Sequence, residues 1–125
     1  MNSLRSVVLA ALLLAPAVHA EETIKRTLME KVDFPANYST IVMRAEVAPN
    51  SVAPRHTHPG IEVSTCVAGD FDLSVEGQPV RHIVAGDHFQ IPAGVPHSLK
   101  TGPDGMTVIA TYVVEKDKPL SSPAP

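Results

Sequence analysis

The chain has 125 residues, and its 10 lysines and arginines against 13 aspartates and glutamates give a formal net charge of −3 with neutral histidines. A mildly acidic chain is poorly suited to binding nucleic acid or an anionic membrane surface, so we expect neither as a partner. The length allows one domain with one core and is too short for two.

The first twenty residues have the pattern of a signal peptide. Arg5 precedes an unbroken apolar run from Val7 to Ala15, and Val18-His19-Ala20 places small residues where a signal peptidase cuts. The apolar run is too short to span a membrane. We therefore expect cleavage after Ala20, a secreted or periplasmic location, and no membrane association of the mature chain.

The mature chain is predicted to consist of short strands. Residues 21–37 are predicted to form an N-terminal arm or edge strand, and alternating apolar residues predict a half-buried strand at Tyr38–Val47. Further strands are predicted at Arg55–His58, Ile61–Ala68, Phe71–Val75, Val80–Val84, His88–Ile91 and Met106–Val114. Turn residues such as Gly69-Asp70 separate them, and no ten-residue stretch has a helical period. This spacing predicts a sandwich or barrel over residues 38–115, and the composition of residues 116–125 predicts a disordered tail.

Cys66 is the only cysteine, which excludes an intramolecular disulfide. It shares strand parity with Glu62 and Ser64 and so points in the same direction as they do. We expect it to be a small buried hydrophobe rather than a reactive thiol.

The segment from His56 to Glu62 carries two imidazoles and a carboxylate at even positions. Side chains two apart on a strand project in the same direction, so His56 and His58 share one face. Pro59-Gly60 predicts a turn after them, which places Glu62 at the start of the next strand. Imidazole and carboxylate together favour a first-row transition metal over calcium or magnesium, without selecting one.

Two motifs in the chain resemble those of the cupin superfamily. His56-x-His58-x3-Glu62-x6-Gly69 fits the first cupin motif, and Gly86-x5-Pro92-x-Gly94-x2-His97 fits the second. Two positions depart from the pattern, because Asn50 stands where the opening glycine is usual and Thr101 stands where the closing asparagine is usual. Asn tolerates a left-handed backbone, so the turn at position 50 can survive.

The resemblance implies an all-β fold, an antiparallel jelly-roll or double-stranded β-helix barrel, with one divalent transition metal (Mn, Fe, Ni, Cu or Zn) inside. It implies that the metal ligands are His56, His58, Glu62 and His97, and that the protein is a homodimer. Each imidazole needs a hydrogen-bond acceptor for its second nitrogen, and the sequence does not identify that partner.

The other polar residues are assigned lesser roles. His82 is predicted to be a strand surface residue or a dimer contact, and His88 is predicted to face away from the core. Tyr112 could point into the barrel. Arg55 is predicted to point out of the cavity, and Arg55, or Lys100 and Thr101 in the loop after His97, could meet an anionic substrate at the barrel mouth, although a solvated surface charge is the simpler interpretation.

Two functional hypotheses follow from the predicted site. The first is a metal-dependent enzyme, dioxygenase- or isomerase-like, that acts on a small organic molecule, with Glu62 as the candidate catalytic base. The alternative is a non-catalytic periplasmic protein that binds a metal or a small ligand, because no other interior acid is evident.

Overall fold

A computed structural model describes residues 23–125, so the predicted signal peptide lies outside the described residues. The described part of the chain contains eight strands and no helix that could cross a bilayer. The strands are β1 (Ile24–Val32), β2 (Tyr38–Val47), β3 (Val52–Thr57), β4 (Gly60–Val75), β5 (Arg81–Val84), β6 (His88–Ile91), β7 (His97–Glu115) and β8 (Ser122–Pro123).

Two long strands, β4 and β7, run through both layers of an antiparallel barrel. One layer has the order β1-β2-β7-β4-β6 and uses the first half of β4 and the second half of β7. The other has the order β8-β3-β7-β4-β5 and uses the opposite halves. The predicted all-β jelly-roll fold is therefore confirmed.

The turn predicted at Gly69-Asp70 is instead a bulge within the continuous strand β4. The pairing register with β7 shifts between Cys66 and Ala68 and again between Gly69 and Phe71. Inward-facing positions consequently change from even, as at Ser64 and Cys66, to odd, as at Phe71. Gly69 has a φ of 72°, and a Cβ there would overlap the carbonyl oxygen of Gly105 on β7. Only glycine meets both requirements, so the chain bends here without reversing.

Apolar side chains from both layers fill the barrel. Phe71 and Phe89 meet edge to face with ring centroids 5.6 Å apart, and both are buried. Cys66 is fully buried in the same cluster, as predicted. Burial of side chains from facing layers stabilises the closed shell in which the histidines lie.

The prediction of a disordered tail is wrong for the final residues. Ser122 pairs with Thr57, and Pro123 pairs with His56, so that β8 extends the second layer beyond β3. Leu120 packs against the buried residues Ala110, Tyr112 and Val114. A proline- and serine-rich segment is ordered here because β3 would otherwise be an open edge and because Leu120 finds an apolar site.

Candidate metal centre

The three predicted histidine ligands converge at one end of the barrel. His56 lies near the end of β3, His58 lies in the turn after it, and His97 begins β7. His56 and His97 are register partners, and the amide of Gly94 donates a hydrogen bond of 3.1 Å to the carbonyl of His58. One potential ligand nitrogen from each ring lies within 4.8 Å of the other two. Backbone hydrogen bonds thus hold the two motif segments together, and this pairing brings their histidine rings close to one another.

Backbone carbonyls select the same tautomer for all three rings. The Nδ1 atoms of His56, His58 and His97 lie 2.7, 2.6 and 3.0 Å from the carbonyl oxygens of Pro54, Leu120 and Val95. A carbonyl only accepts, so each Nδ1 donates, and a neutral ring then carries its lone pair on Nε2. The His97 Nε2 is buried and has no hydrogen-bond partner among the described residues.

Glu62 adds an oxygen to this group of nitrogen lone pairs. Its Oε2 lies 3.2 Å from the His58 Nε2 and 3.7 Å from the His97 Nε2, while its Oε1 accepts a hydrogen bond of 2.7 Å from Ser64. Acceptor atoms brought this close in a buried site repel one another unless a cation or a proton lies between them. The donor set therefore fits a bound metal ion.

Protonation at the site also suits a metal. Burial lowers the pKa of His56 and of His97, which favours neutral imidazoles. Burial alone would raise the pKa of Glu62, but the close contact with His58 and the hydrogen bond from Ser64 outweigh it and hold that pKa below its usual value. Neutral imidazoles with one carboxylate give the site a net negative charge. His56, His58 and His97 could accordingly hold a divalent transition metal.

A cavity of about 40 Å³ adjoins the histidines inside the barrel. Its polar lining comes from Arg26, His56, Glu62, His97 and Tyr112, and the rest is mainly apolar. Tyr112 faces inward as the sequence suggested, pairs in register with Glu62, and places its ring 4.9 Å from that of His58. Burial raises the pKa of the Tyr112 phenol, with a further contribution from the Glu62 charge, whereas Arg26 acts in the opposite direction. The cavity thus contains a buried ionisable group beside the predicted ligands.

Two predicted surface histidines lie away from the cavity. His82 is 57% exposed in its side chain, and its Nδ1 lies 2.7 Å from Asp72 Oδ1. His88 is exposed, and its Nδ1 lies 2.9 Å from the Thr65 hydroxyl. Both placements agree with the sequence-based predictions.

The three candidates for an anion contact at the mouth differ in position. Arg55 pairs with Glu76 and donates to the carbonyl of Pro125, so its charge is already engaged. Lys100 and Thr101 belong to strand β7 rather than to a loop, which corrects that prediction. Thr101 is buried, donates to the Ala48 carbonyl at 2.7 Å and accepts from the Ser51 amide at 2.9 Å. It closes the turn at Asn50, whose φ of 50° is left-handed as expected.

Two residues near the site were missed by sequence reasoning. Leu120 supplies the acceptor for His58 through its main-chain carbonyl, which leaves no signature in the sequence. Arg26 lines the cavity from β1. Its signal was present but weak, because Arg26 shares strand parity with Ile24, which lines the same cavity.

Comparisons with known proteins give both a family and a set of structural relatives. Residues 43–114, more than half of the chain, match the sequence model of the cupin domain. The dimethylsulfoniopropionate lyase DddQ of Ruegeria pomeroyi is 40% identical over 48 residues, which make up 38% of this chain and 24% of that protein.

Solved structures agree with the fold. The crystal structure of the DMSP lyase DddQ from Ruegeria pomeroyi superposes with a TM-score of 0.71 and 19% identity, covering 82% of this chain and 52% of that one. KdgF from a Halomonas species has a TM-score of 0.63 and 20% identity, with 79% and 87% covered. The chain thus spans about half the length of the solved lyase. From its barrel architecture and the match over residues 43–114, the chain belongs to the cupin family.

Proposed function

We propose that this protein is a metal-dependent lyase that cleaves a small carboxylate with a leaving group on its β-carbon, such as dimethylsulfoniopropionate. The observation that carries the proposal is the convergence of one ring nitrogen from each of three histidines and the Glu62 carboxylate beside a small cavity that the Tyr112 phenol also lines. The partial similarity to the lyase DddQ supports the choice of reaction.

The metal ligands in this proposal are His56, His58, Glu62 and His97. A divalent cation held there would supply a Lewis acid that binds a substrate oxygen and makes the neighbouring C–H bond more acidic. With four protein donors, such an ion would still have room to bind a substrate oxygen. This room for a substrate favours an enzyme over a protein that only stores metal.

The elimination itself needs a proton acceptor inside the cavity. The C–H bond next to the carboxylate breaks, its electron pair forms a C=C bond, and the β-substituent leaves with its own bonding pair. Glu62 and Tyr112 are the carboxylate and the phenol that line the cavity, and they are register partners on β4 and β7. We assign acceptance of this proton to the ionised Glu62 carboxylate, and donation of a hydrogen bond to the developing negative charge to the Tyr112 phenol, which burial keeps protonated.

A turnover assay tests the proposal. The protein should be loaded separately with Mn, Fe, Ni, Cu and Zn and incubated with dimethylsulfoniopropionate, and the released dimethyl sulfide measured by gas chromatography. We expect release with at least one metal and none from His58→Ala. If metal-loaded protein binds the compound without releasing dimethyl sulfide, the proposal is contradicted and a non-catalytic binding protein is favoured. Oxygen uptake in a parallel assay would instead favour a dioxygenase.

Replacement of Tyr112 by phenylalanine is expected to lower kcat by roughly 100-fold or more, because it removes a hydroxyl that donates a hydrogen bond to the developing charge while keeping the ring. Metal content should stay at one equivalent, since the ligands are unchanged. Steady-state kinetics with elemental analysis checks both expectations. An unchanged kcat would remove Tyr112 from the reaction.

Export from the cytoplasm remains part of the proposal, supported by the order of Arg5, the apolar run and Val18-His19-Ala20. Fractionation of cells that express the full chain tests it. The mature form should begin at Glu21 and lie outside the cytoplasmic fraction.

A further inference from the structure

A second, wider cavity leads from the surface to the metal centre. It has a volume of about 300 Å³ and is bounded by β1, by β3 and by the C-terminal segment. The residues that it shares with the inner cavity of about 40 Å³ are Ile24, Arg26, Ala53 and His56. A molecule that enters by this route therefore meets Arg26 and His56 in the same cavity.

The electrostatic character of this entrance is positive. Among residues 23–125, its charged lining residues are Arg26 and Arg55, and no aspartate or glutamate of that range lines it. Arg55 is paired with Glu76, whereas Arg26 forms no ion pair within 4.0 Å with another residue of the range 23–125. Among the described residues, the acidic residue that lines the inner cavity is Glu62, whose Oε2 lies beside His58 and His97 and which we assign to the metal. Arg26 therefore has a charge available for an incoming anion.

We propose that Arg26 forms an anion-binding position at the entrance and that it selects substrates that carry a carboxylate. A guanidinium presents two parallel N–H groups to a carboxylate, which a neutral or cationic compound cannot use in the same way. The neighbouring side chains of Ile24 and Ala53 are apolar and offer a carboxylate no competing polar group at this point. This inference rests on the proposed function, because it names the chemical group by which the substrate of that site is recognised.

The position can be tested by binding as well as by turnover. Protein loaded with Zn²⁺ should be titrated with propionate and with neutral propionamide by calorimetry, for the natural chain, Arg26→Gln, Arg26→Lys and Lys25→Gln. Lys25 is the matched control, since it lies next to Arg26 on β1, carries the same charge and lines neither cavity.

We expect Arg26→Gln to weaken propionate binding by roughly 10- to 100-fold, the range for loss of a charged hydrogen bond. Arg26→Lys should restore part of the affinity because it keeps the charge, and Lys25→Gln should bind as the natural chain does. Propionamide affinity and zinc content should be the same in all four proteins. In turnover, Arg26→Gln should raise KM with kcat held within about twofold.

The possible results separate this inference from the proposed function. Propionate binding that depends on Arg26 without any cleavage of dimethylsulfoniopropionate would support the anion position and contradict the lyase. Cleavage with propionate affinity unchanged in Arg26→Gln would support the lyase and overturn the anion position. An equal loss in Lys25→Gln would also overturn it, because general charge attraction would then account for the binding.

Discussion

Replacement of His58 by alanine is expected to abolish stoichiometric metal binding and to leave the barrel folded. The change removes one of the nitrogen donors that lie within 4.8 Å of one another. The affinity should fall by more than roughly 100-fold, which is the upper end of the effect of losing only an outer hydrogen-bond partner. Elemental analysis of the purified protein measures the metal, and circular dichroism measures the fold.

The stability cost of this change should be modest. The variant leaves the Leu120 carbonyl without its donor in a partly buried position, which costs about 1–3 kcal/mol of unfolding free energy. The main apolar cluster around Phe71 and Phe89 is untouched. We therefore expect a lower melting temperature but a cooperative transition.

His88→Ala is the matched control. His88 is also a strand histidine, but it is exposed and contacts Thr65 outside the cavity, so its removal should leave the metal content unchanged. A full equivalent of metal in His58→Ala would show that the ligand set is wrong. Loss of metal from His88→Ala would also show that the ligand set is wrong, because His88 would then be needed for metal binding.

The positions of the predicted ligands could be read from the sequence because strand parity acts locally. His56 and His58 are two residues apart, and the Pro59-Gly60 turn separates them from Glu62. Nothing local connects that segment with His97, 35 or more residues away, and for this residue the cupin motifs were needed. In the structure the two segments are connected by strand pairing, because His56 on β3 is the register partner of His97 on β7.

The continuity of β4 and β7 could not be read in the same way. Gly69 and Gly105 are turn signals in sequence, and both do have left-handed φ values of 72° and 66°. Their function here is a close backbone contact between two strands, which depends on a partner distant in sequence. The shared direction of Glu62, Ser64 and Cys66 in the first half of β4 was nevertheless predicted correctly, because these residues lie before the bulge.

The C-terminal segment shows a different limit of prediction from sequence. Composition predicts disorder from the lack of apolar residues to bury, and residues 116–125 contain few. What orders the segment is main-chain pairing with β3 and one leucine, Leu120. Almost any sequence can form main-chain hydrogen bonds, so the residue types of this segment do not indicate that it will pair.

Removal of residues 119–125 is expected to weaken metal binding by roughly 10- to 100-fold, the usual effect of losing an outer partner of a ligating histidine. The His58 Nδ1 would lose its acceptor at 2.6 Å, and the ring would no longer be held in one tautomer and one orientation. The barrel should stay folded, because the main core cluster contains no residue of this segment. Competition with a chromogenic chelator measures the affinity.

Two further variants show which part of the segment matters. Removal of residues 122–125 alone eliminates the pairing of β8 with β3 but keeps Leu120 and its peptide carbonyl. Leu120→Ala keeps the carbonyl and removes the side chain that packs against Ala110 and Tyr112. If the carbonyl is decisive and the leucine positions it, the shorter truncation should bind metal more tightly than the longer one, with Leu120→Ala between them. Equal affinity of the longer truncation and the natural chain would show that His58 needs no partner from the C-terminal segment.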